Sequence, residues 1–123
     1  MSAIPSRRVG FGMLPNKFNA KATTMLVDGE ATRFDSKHEA STYAKLLLLQ
    51  RAERIRNLKR QVTFRLDVND LHVCRYIADF TFEEYVAGEW VPVVADAKGV
   101  LTAVYRLKKK LMKACHNVEI REL

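Results

Sequence analysis

The stretch from Tyr76 to Gly99 constrains the fold of this chain more than any other. It contains two strand-forming segments, Y-I-A-D-F at its start and V-A-D-A-K-G at its end, on either side of Gly88. A hairpin that turns near this glycine places Asp79 and Asp96 roughly opposite each other on neighbouring strands. Asp96 and Lys98 point the same way, because strand side chains alternate between the two faces. The sequence therefore predicts that two carboxylates and one ammonium group share a small patch.

This patch suits a divalent cation. Asp79 and Asp96 would repel each other unless a positive charge lay between them. Mg²⁺ prefers oxygen ligands and is commonly held by one or two carboxylates, several waters and a substrate phosphate. Lys98 could position a water for attack on phosphorus or stabilise the charge that develops there. The alternative is that both aspartates are solvated strand residues and that Lys98 forms a surface ion pair of little value.

Composition narrows the remaining classes of function. The chain has 123 residues, of which 48% are hydrophobic, and this suits one domain with a modest core. Its 21 lysines and arginines against 14 aspartates and glutamates give a formal net charge of +7, which favours a polyanionic partner, nucleic acid first. The sequence shows neither an apolar run that spans a bilayer nor the apolar core of a signal peptide, so we expect a soluble cytoplasmic protein.

Residues 1–21 are predicted to form a basic flexible arm, and residues 22–123 the folded domain. Prolines and glycines interrupt the arm, and its Arg7 and Arg8 could contact a phosphate backbone. A solvated terminus without function is the alternative. The domain is predicted to open with a hairpin between Thr23 and Phe34 that turns at Asp28-Gly29.

A long helix is predicted from about Ser36 to Arg56, with Lys37 on its charged face. Glu39 has two interpretations. In a capping box, Ser36-x-x-Glu39, the two side chains satisfy free backbone N–H groups at the helix start. Glu39 could instead be a third acid that reaches the metal, although the spacing alone favours the cap. The predicted apolar stripe comprises Ala40, Tyr43, Ala44, Leu47, Leu48 and Ile55.

Three strands are expected to follow this helix. The first runs from Val62 to Val68 and is joined to the second by a turn at Asn69-Asp70. On the second strand, Asp79 lies opposite the apolar face, where a functional carboxylate belongs. That apolar face comprises Cys74, Tyr76, Ala78, Phe80 and Phe82. The tip before the third strand is assigned to Glu83, Glu84, Gly88 and Glu89.

A second helix is predicted from Ala103 to His116, with Thr102 as its cap. Its inward face is assigned to Leu107, Leu111 and Ala114. It is the most basic element of the chain, with Arg106, Lys108, Lys109, Lys110 and Lys113. A short closing strand completes the chain, with Val118 and Ile120 directed inward.

The order helix, three strands, helix, strand resembles the PD-(D/E)xK nuclease superfamily, with Glu39 in the helix, Asp79 in the second strand and D-x-K at Asp96 and Lys98. The segments F-D-S-K-H-E-A, Y-I-A-D-F, V-A-D-A-K-G and T-A-V-Y-R-L-K-K-K-L are similar to a small phage and prophage family of nuclease-like proteins. The resemblance implies an α/β (α+β), restriction-endonuclease-like mixed sheet flanked by helices, with an αβββαβ core and an N-terminal hairpin. Ala78 stands where the superfamily name has proline.

The resemblance also implies a metal-dependent phosphodiesterase. Asp79, Asp96, the backbone carbonyl of Ala97 and Glu39 would hold Mg²⁺ or Mn²⁺, and Lys98 would lie near the attacking water. We expect a structure-selective DNA endonuclease of phage origin, similar to Holliday-junction resolvases, that acts on junctions, flaps or replication intermediates. Cutting two strands would need a homodimer. The residues expected to contact DNA are Lys37, Arg75, Thr102, Arg106, Lys108, Lys109, Lys110, Arg7 and Arg8.

Two other classes of function remain open. A non-catalytic nucleic-acid-binding module would explain the net charge and the basic helices without an active site. It would not explain why a basic protein holds acids that repel phosphate unless a cation bridges them. A phage protein could also bind a host protein through exposed aromatic side chains such as Trp90.

Overall fold

The computed structural model describes residues 23–27, 29–97 and 101–123. Arg7, Arg8, Asp28, Lys98 and Gly99, to which the sequence assigns roles, lie outside the described residues. Contacts divide the chain into two compact units, Met1–Ala40 and Ser41–Leu123. Among the described residues, no helix is both long enough and apolar enough to cross a membrane.

The N-terminal unit contains the predicted hairpin. Strands β1 (Thr23–Val27) and β2 (Glu30–Phe34) pair antiparallel, and the pair formed by Val27 and Glu30 leaves a two-residue loop. Gly29 in this loop has φ +85°, in the left-handed region that glycine adopts without steric cost. The hairpin predicted from the Asp-Gly dipeptide is therefore confirmed, although Asp28 itself is not described.

Helix α1 (Lys37–Arg51) is shorter than predicted. Glu53 adopts φ 60°, the N–H of Glu53 donates to the carbonyl of Gln50 (3.0 Å), and the N–H of Arg54 donates to the carbonyl of Leu49 (2.9 Å). These two bonds are those of a Schellman motif, which ends a helix at a left-handed residue. Ile55 thus begins the next strand, and its assignment to the helix was wrong.

The apolar stripe assigned to α1 was also partly wrong. Leu46 is buried, with 5% exposure, whereas Leu48 is 63% exposed. The four leucines from Leu46 to Leu49 surround the helix, because successive residues are about 100° apart at 3.6 residues per turn. Hydrophobicity alone cannot select the inward side of such a run.

Three antiparallel strands follow, β3 (Ile55–Val68), β4 (Leu71–Val86) and β5 (Glu89–Asp96). Two-residue turns with positive φ at both positions join them, first at Asn69 and Asp70 and then at Ala87 and Gly88. Such pairs of positive φ are required by the type I′ turn, whose twist matches that of the flanking strands.

The predicted limits of these strands need two corrections. The first strand begins at Ile55 rather than at Val62, with a register shift between Arg56 and Lys59. Glu83 and Glu84 lie within β4 and not at the hairpin tip. Both form ion pairs there, Glu83 with Arg56 at 2.5 Å and Glu84 with Arg121 at 3.0 Å.

Helix α2 (Ala103–His116) has the predicted bounds, and the hydroxyl of Thr102 accepts the N–H of Tyr105 at its start (3.1 Å). Strand β6 (Arg121–Glu122) then pairs parallel with β5, which gives the mixed sheet order β3-β4-β5-β6. The predicted mixed α/β class, with an αβββαβ order and an N-terminal hairpin, is confirmed.

Two hydrophobic clusters cover the sheet. One contains Leu46 of α1 with Phe80, Phe82, Val93 and Ala95, and the other contains Tyr105 and Met112 of α2 with Tyr76, Ala78 and Val94. Successive residues of a strand point to opposite faces, so Val93 and Val94, which belong to different clusters, point to opposite faces of β5. Along β4, Asp79 lies where the packing passes from the second cluster to the first.

The inward face of α2 differs from the prediction. Tyr105 and Met112 are buried, whereas Leu107 is 58% exposed and Ala114 is exposed. Lys108 and Lys109 lie between the two buried residues on this face and are only half-exposed. Lysine can cover apolar surface with its alkyl stem, so two lysines on the buried face obscured the stripe in the sequence.

Candidate functional site

The antiparallel pairing of β4 and β5 brings Asp79 and Asp96 together. The pair formed by Phe80 and Ala95 is in register, so Asp79 and Asp96 are the next positions along the same ladder. The N–H of Asp79 donates to Oδ1 of Asp96 (2.8 Å), and the N–H of Ala97 donates to Oδ2 of Asp79 (3.0 Å). Each carboxylate therefore reaches across to the backbone of the opposite strand.

Asp96 is the most restrained residue of the site. It has no exposed surface, and its Oδ2 accepts a hydrogen bond from the hydroxyl of Tyr76. At the other edge of β5, Asp96 pairs with Glu122 of β6. The N–H of Leu123 donates to the backbone carbonyl of Asp96 (2.8 Å). The alternative in which both aspartates are solvated is therefore wrong for Asp96. Asp79, in contrast, is only half-buried.

Two tyrosine hydroxyls lie near this pair of aspartates. Burial raises the pKa of Tyr76 far above its ordinary value, and the hydrogen bond to Asp96 adds to the effect. Burial also raises the pKa of Tyr105, followed by its hydrogen bond to Glu122 and by the charges of Asp96 and Asp79. Both phenols are therefore neutral donors near neutral pH.

Glu122 connects the aspartate pair with the basic helix. Its Oε2 accepts hydrogen bonds from the Tyr105 hydroxyl (3.1 Å) and from Nζ of Lys109 (2.8 Å). The ammonium group of Lys109 is the largest cause of the lowered pKa of the Glu122 carboxyl, and the Tyr105 hydroxyl contributes further. Because Glu122 stands beside Asp96 in the ladder, this network begins directly next to the site.

Tyr76, Tyr105 and Glu122 were not predicted as members of this site. Tyr76 was predicted only as part of an apolar strand face. One signal was available, because a buried tyrosine hydroxyl normally finds a hydrogen-bond partner, and Tyr76 lies three positions before Asp79. For Glu122 no such signal exists, since its position depends on the parallel pairing of β6 with β5.

Glu39 serves as a helix cap in the N-terminal unit. Its N–H donates to Oγ of Ser36 (3.1 Å), and its Oε1 accepts the N–H of Asp35 (3.3 Å). This is the predicted capping box, except that the glutamate reaches one residue beyond the N-cap. The residue is buried, with 3% exposure. Its predicted contact with a metal stays a prediction.

The structure places the residues expected to contact DNA on different elements. Lys37 is exposed at the start of α1, and Arg75 is exposed on β4 opposite Arg65. Thr102 caps α2, and Lys108 is half-buried on that helix. The remaining described members line one cleft beside α2, namely Arg106, Lys109 and Lys110.

The donor atoms of the aspartate pair fit a metal that keeps most of its water. Among the described residues, no group of three or more histidines, cysteines, aspartates or glutamates could hold a metal ion. Asp79 and Asp96 supply two carboxylates, and Ala97 could add a backbone carbonyl. Mg²⁺ is commonly bound by one or two carboxylates together with waters and substrate phosphate. Asp96 already accepts two hydrogen bonds, so its free lone pairs would have to serve the metal.

Comparison with known sequences shows the family. Residues 15–122 match the family described as "Protein of unknown function (DUF1064)". The match covers most of the chain, and the chain belongs to this family. No curated protein matches the chain. No solved structure matches it.

The two tyrosines lead to a prediction about pH. In the unfolded chain a tyrosine ionises near pH 10, whereas the folded pKa values of Tyr76 and Tyr105 are raised. Stability from these groups is therefore present below about pH 10 and is lost as the pH rises towards the folded values. Between about pH 9 and 11, folded wild type, Tyr76→Phe and Tyr105→Phe should show equal phenolate absorbance.

The unfolded proteins provide the control for this titration. In strong denaturant each variant should lose one of the four tyrosine signals of the wild type. A folded variant that lost the same amplitude would show that its tyrosine ionises normally, and the burial described for that hydroxyl would then be wrong.

Proposed function

We propose that this protein is a metal-dependent, structure-selective DNA endonuclease of phage origin that hydrolyses phosphodiester bonds. One observation carries the proposal: Asp79 and Asp96 meet on adjacent strands, and each accepts a hydrogen bond from the other strand. In a chain with a net charge of +7, a pair of acids next to a basic helix suits a bound cation that bridges carboxylates and phosphate.

The two aspartates would have different roles at such a site. Asp96 is fixed by Tyr76 and by the backbone of Asp79, so it would define the position of the cation. Asp79 is half-buried and would complete the binding towards solvent, where substrate approaches. Bound Mg²⁺ or Mn²⁺ would supply Lewis acidity and a water of lowered pKa. Lys98 would orient that water, and Glu39 would be a third acid.

A non-catalytic nucleic-acid-binding module is the second candidate, and a specific observation favours it. Both carboxylate oxygens of Asp96 have partners within the protein, which is also the arrangement of a purely structural carboxylate. In that case the hydrogen bonds of the two aspartates would stabilise the pairing of β4 with β5. The basic residues of α2 would bind phosphates without cleavage.

Binding of a host protein through Trp90 has less support. The side chain is half-buried, the Arg56 guanidinium lies 4.3 Å from the centre of its ring, and the ring of Tyr85 lies 5.1 Å away. An aromatic residue with both of these neighbours is already packed.

We propose DNA as the partner of this protein, in the cytoplasm of the host cell. Where two strands are cut, we propose that the protein acts as a homodimer.

The test is cleavage of a panel of labelled DNAs: a four-way junction, a flap, a single strand and a duplex. Each is incubated with Mg²⁺, with Mn²⁺ or with a chelator. We expect cutting of at least one branched substrate that requires the metal and leaves a 5′-phosphate. If every substrate stays intact with both metals while some are bound, the protein is better described as a non-catalytic nucleic-acid-binding module than as a nuclease.

A further inference from the structure

A basic cleft lies between α2 and the segment that leads into β6. It has a volume of about 530 Å³ and an apolar floor to which Leu101 and Ile120 contribute. No aromatic side chain is among its described lining residues. The described charged residues that line it are Arg106, Lys109, Lys110, Lys113, Glu119 and Glu122.

The four cations form one stripe along the helix. Their spacing is that of one helix face, at positions 106, 109, 110 and 113. At 1.5 Å per residue the stripe is about 10 Å long. It can therefore face more than one phosphate of a nucleic-acid backbone at the same time.

Two glutamates form ion pairs with lysines of this stripe. Nζ of Lys109 lies 2.8 Å from Oε2 of Glu122, and Nζ of Lys113 lies 3.3 Å from Oε2 of Glu119. Among the described lining residues of the cleft, four cations still stand against two carboxylates. Glu119 is the less restrained of the two, with 79% of its side chain exposed, whereas Glu122 also binds Tyr105.

We infer that this cleft binds the phosphate backbone of a single nucleic-acid strand and that Glu119 and Glu122 are internal counter-ions which the phosphates displace. A cleft of this volume takes a ligand of drug size, which corresponds to about one or two nucleotides and excludes a duplex. With no aromatic side chain among the described lining residues, binding depends on charge and is independent of base sequence.

The cleft lies where a bound strand would reach the aspartate pair. Glu122 pairs with Asp96 in the β5–β6 ladder, so the cleft begins directly beside the aspartate pair. A strand held along α2 would lead to or from that pair. Only this last step rests on the proposed nuclease function, because binding in the cleft requires no reaction.

The experiment measures binding of a labelled single-stranded oligonucleotide by fluorescence anisotropy, with a chelator present so that nothing is cut. Wild type is compared with Arg106→Ala/Lys110→Ala, which leaves both ion pairs of the cleft in place. We expect at least about a tenfold loss of affinity and a decrease of about 1.4 in the slope of log K against log salt, at about 0.7 for each lost phosphate contact. Alanine favours helix, so α2 should persist in the variant.

Lys45→Ala/Lys59→Ala is the matched control. It removes the same charge from exposed positions on α1 and β3, outside the cleft. We expect its affinity to stay within about twofold of wild type. Equal losses in the two double variants would show that only net charge matters and would overturn the cleft as the binding site.

Two further comparisons test the counter-ions and the preference for a single strand. Glu119→Gln should bind the oligonucleotide severalfold more tightly, whereas unchanged or weaker binding contradicts displacement of a counter-ion. A duplex of the same length should bind more weakly. If the duplex binds equally well and also depends on Arg106 and Lys110, the single-strand assignment is wrong.

The two proposals can fail separately. Cleavage that is unaffected in Arg106→Ala/Lys110→Ala would leave the nuclease intact and remove the cleft from it. Binding that depends on the cleft, with no cleavage on any substrate, would support the cleft and remove the nuclease.

Discussion

Asp79→Asn and Asp96→Asn are each expected to lower metal-dependent cleavage by at least about 1000-fold, because each removes a charge worth several kcal/mol to metal binding and to the transition state. Asparagine keeps an acceptor oxygen of similar size, so the backbone hydrogen bonds between β4 and β5 can persist. The measurement is the initial rate on the best substrate of the panel at saturating Mg²⁺, together with the thermal midpoint of each variant.

Asp67→Asn is the control for this pair of variants. Asp67 is an exposed aspartate on β3 that accepts hydrogen bonds from His72 (2.7 Å) and Arg65 (3.3 Å). The same chemical change there should leave the rate within about twofold, as expected for a surface substitution away from the site. Full activity in Asp79→Asn or Asp96→Asn would remove the aspartate pair from catalysis.

Glu39→Gln belongs to the same series because Glu39 also caps a helix. Glutamine can still accept the N–H of Asp35, so the cap is largely retained while the charge is lost. A fall in cleavage with an unchanged thermal midpoint would support Glu39 as the third acid. An unchanged rate would confine it to the cap.

Phe80→Ala is expected to lower the free energy of unfolding by about 3–5 kcal/mol. Phe80 has no exposed surface, and its ring stacks on Tyr43 of α1 with centroids 5.9 Å apart. The substitution removes a fully buried aromatic side chain from the cluster beside α1 and leaves a cavity there. Urea unfolding followed by circular dichroism measures the effect.

Ile77→Ala, on the same strand, is the control. Ile77 is 42% exposed, so its truncation should cost less than about 1 kcal/mol. Similar losses in the two variants would mean that Phe80 is not the anchor between α1 and the sheet.

Local signals predicted some elements fully and others only in part. Helix α2 begins after Thr102, whose hydroxyl caps it, and ends before Asn117, which adopts a left-handed φ of 57°. Both residue types are common at such positions, so the limits were readable. Helix α1 ends at Arg51, and Glu53 just beyond it adopts φ 60°, a conformation for which glutamate gives no signal.

The meeting of the two aspartates followed from simple geometry. Gly88 fixes the turn, and the two-residue period of a strand then determines which residues face each other. The contacts that restrain the aspartates could not be predicted from this strand geometry. Tyr76 and Glu122 reach Asp96 and its surroundings through the packing of α2 and the pairing of β6, which depend on the whole fold. Residue spacing along the chain carries no information on such contacts.

The tight turn at Ala87 and Gly88 restricts how the gene could change in evolution. Sixteen residues separate Asp79 from Asp96, and they pair without a break through this turn. Insertion of one residue into β5 would move Asp96 to the other face of the sheet. Two residues added at the tip would only lengthen the loop. We therefore expect homologous genes to tolerate insertions at this tip but not within the paired strands on either side of it.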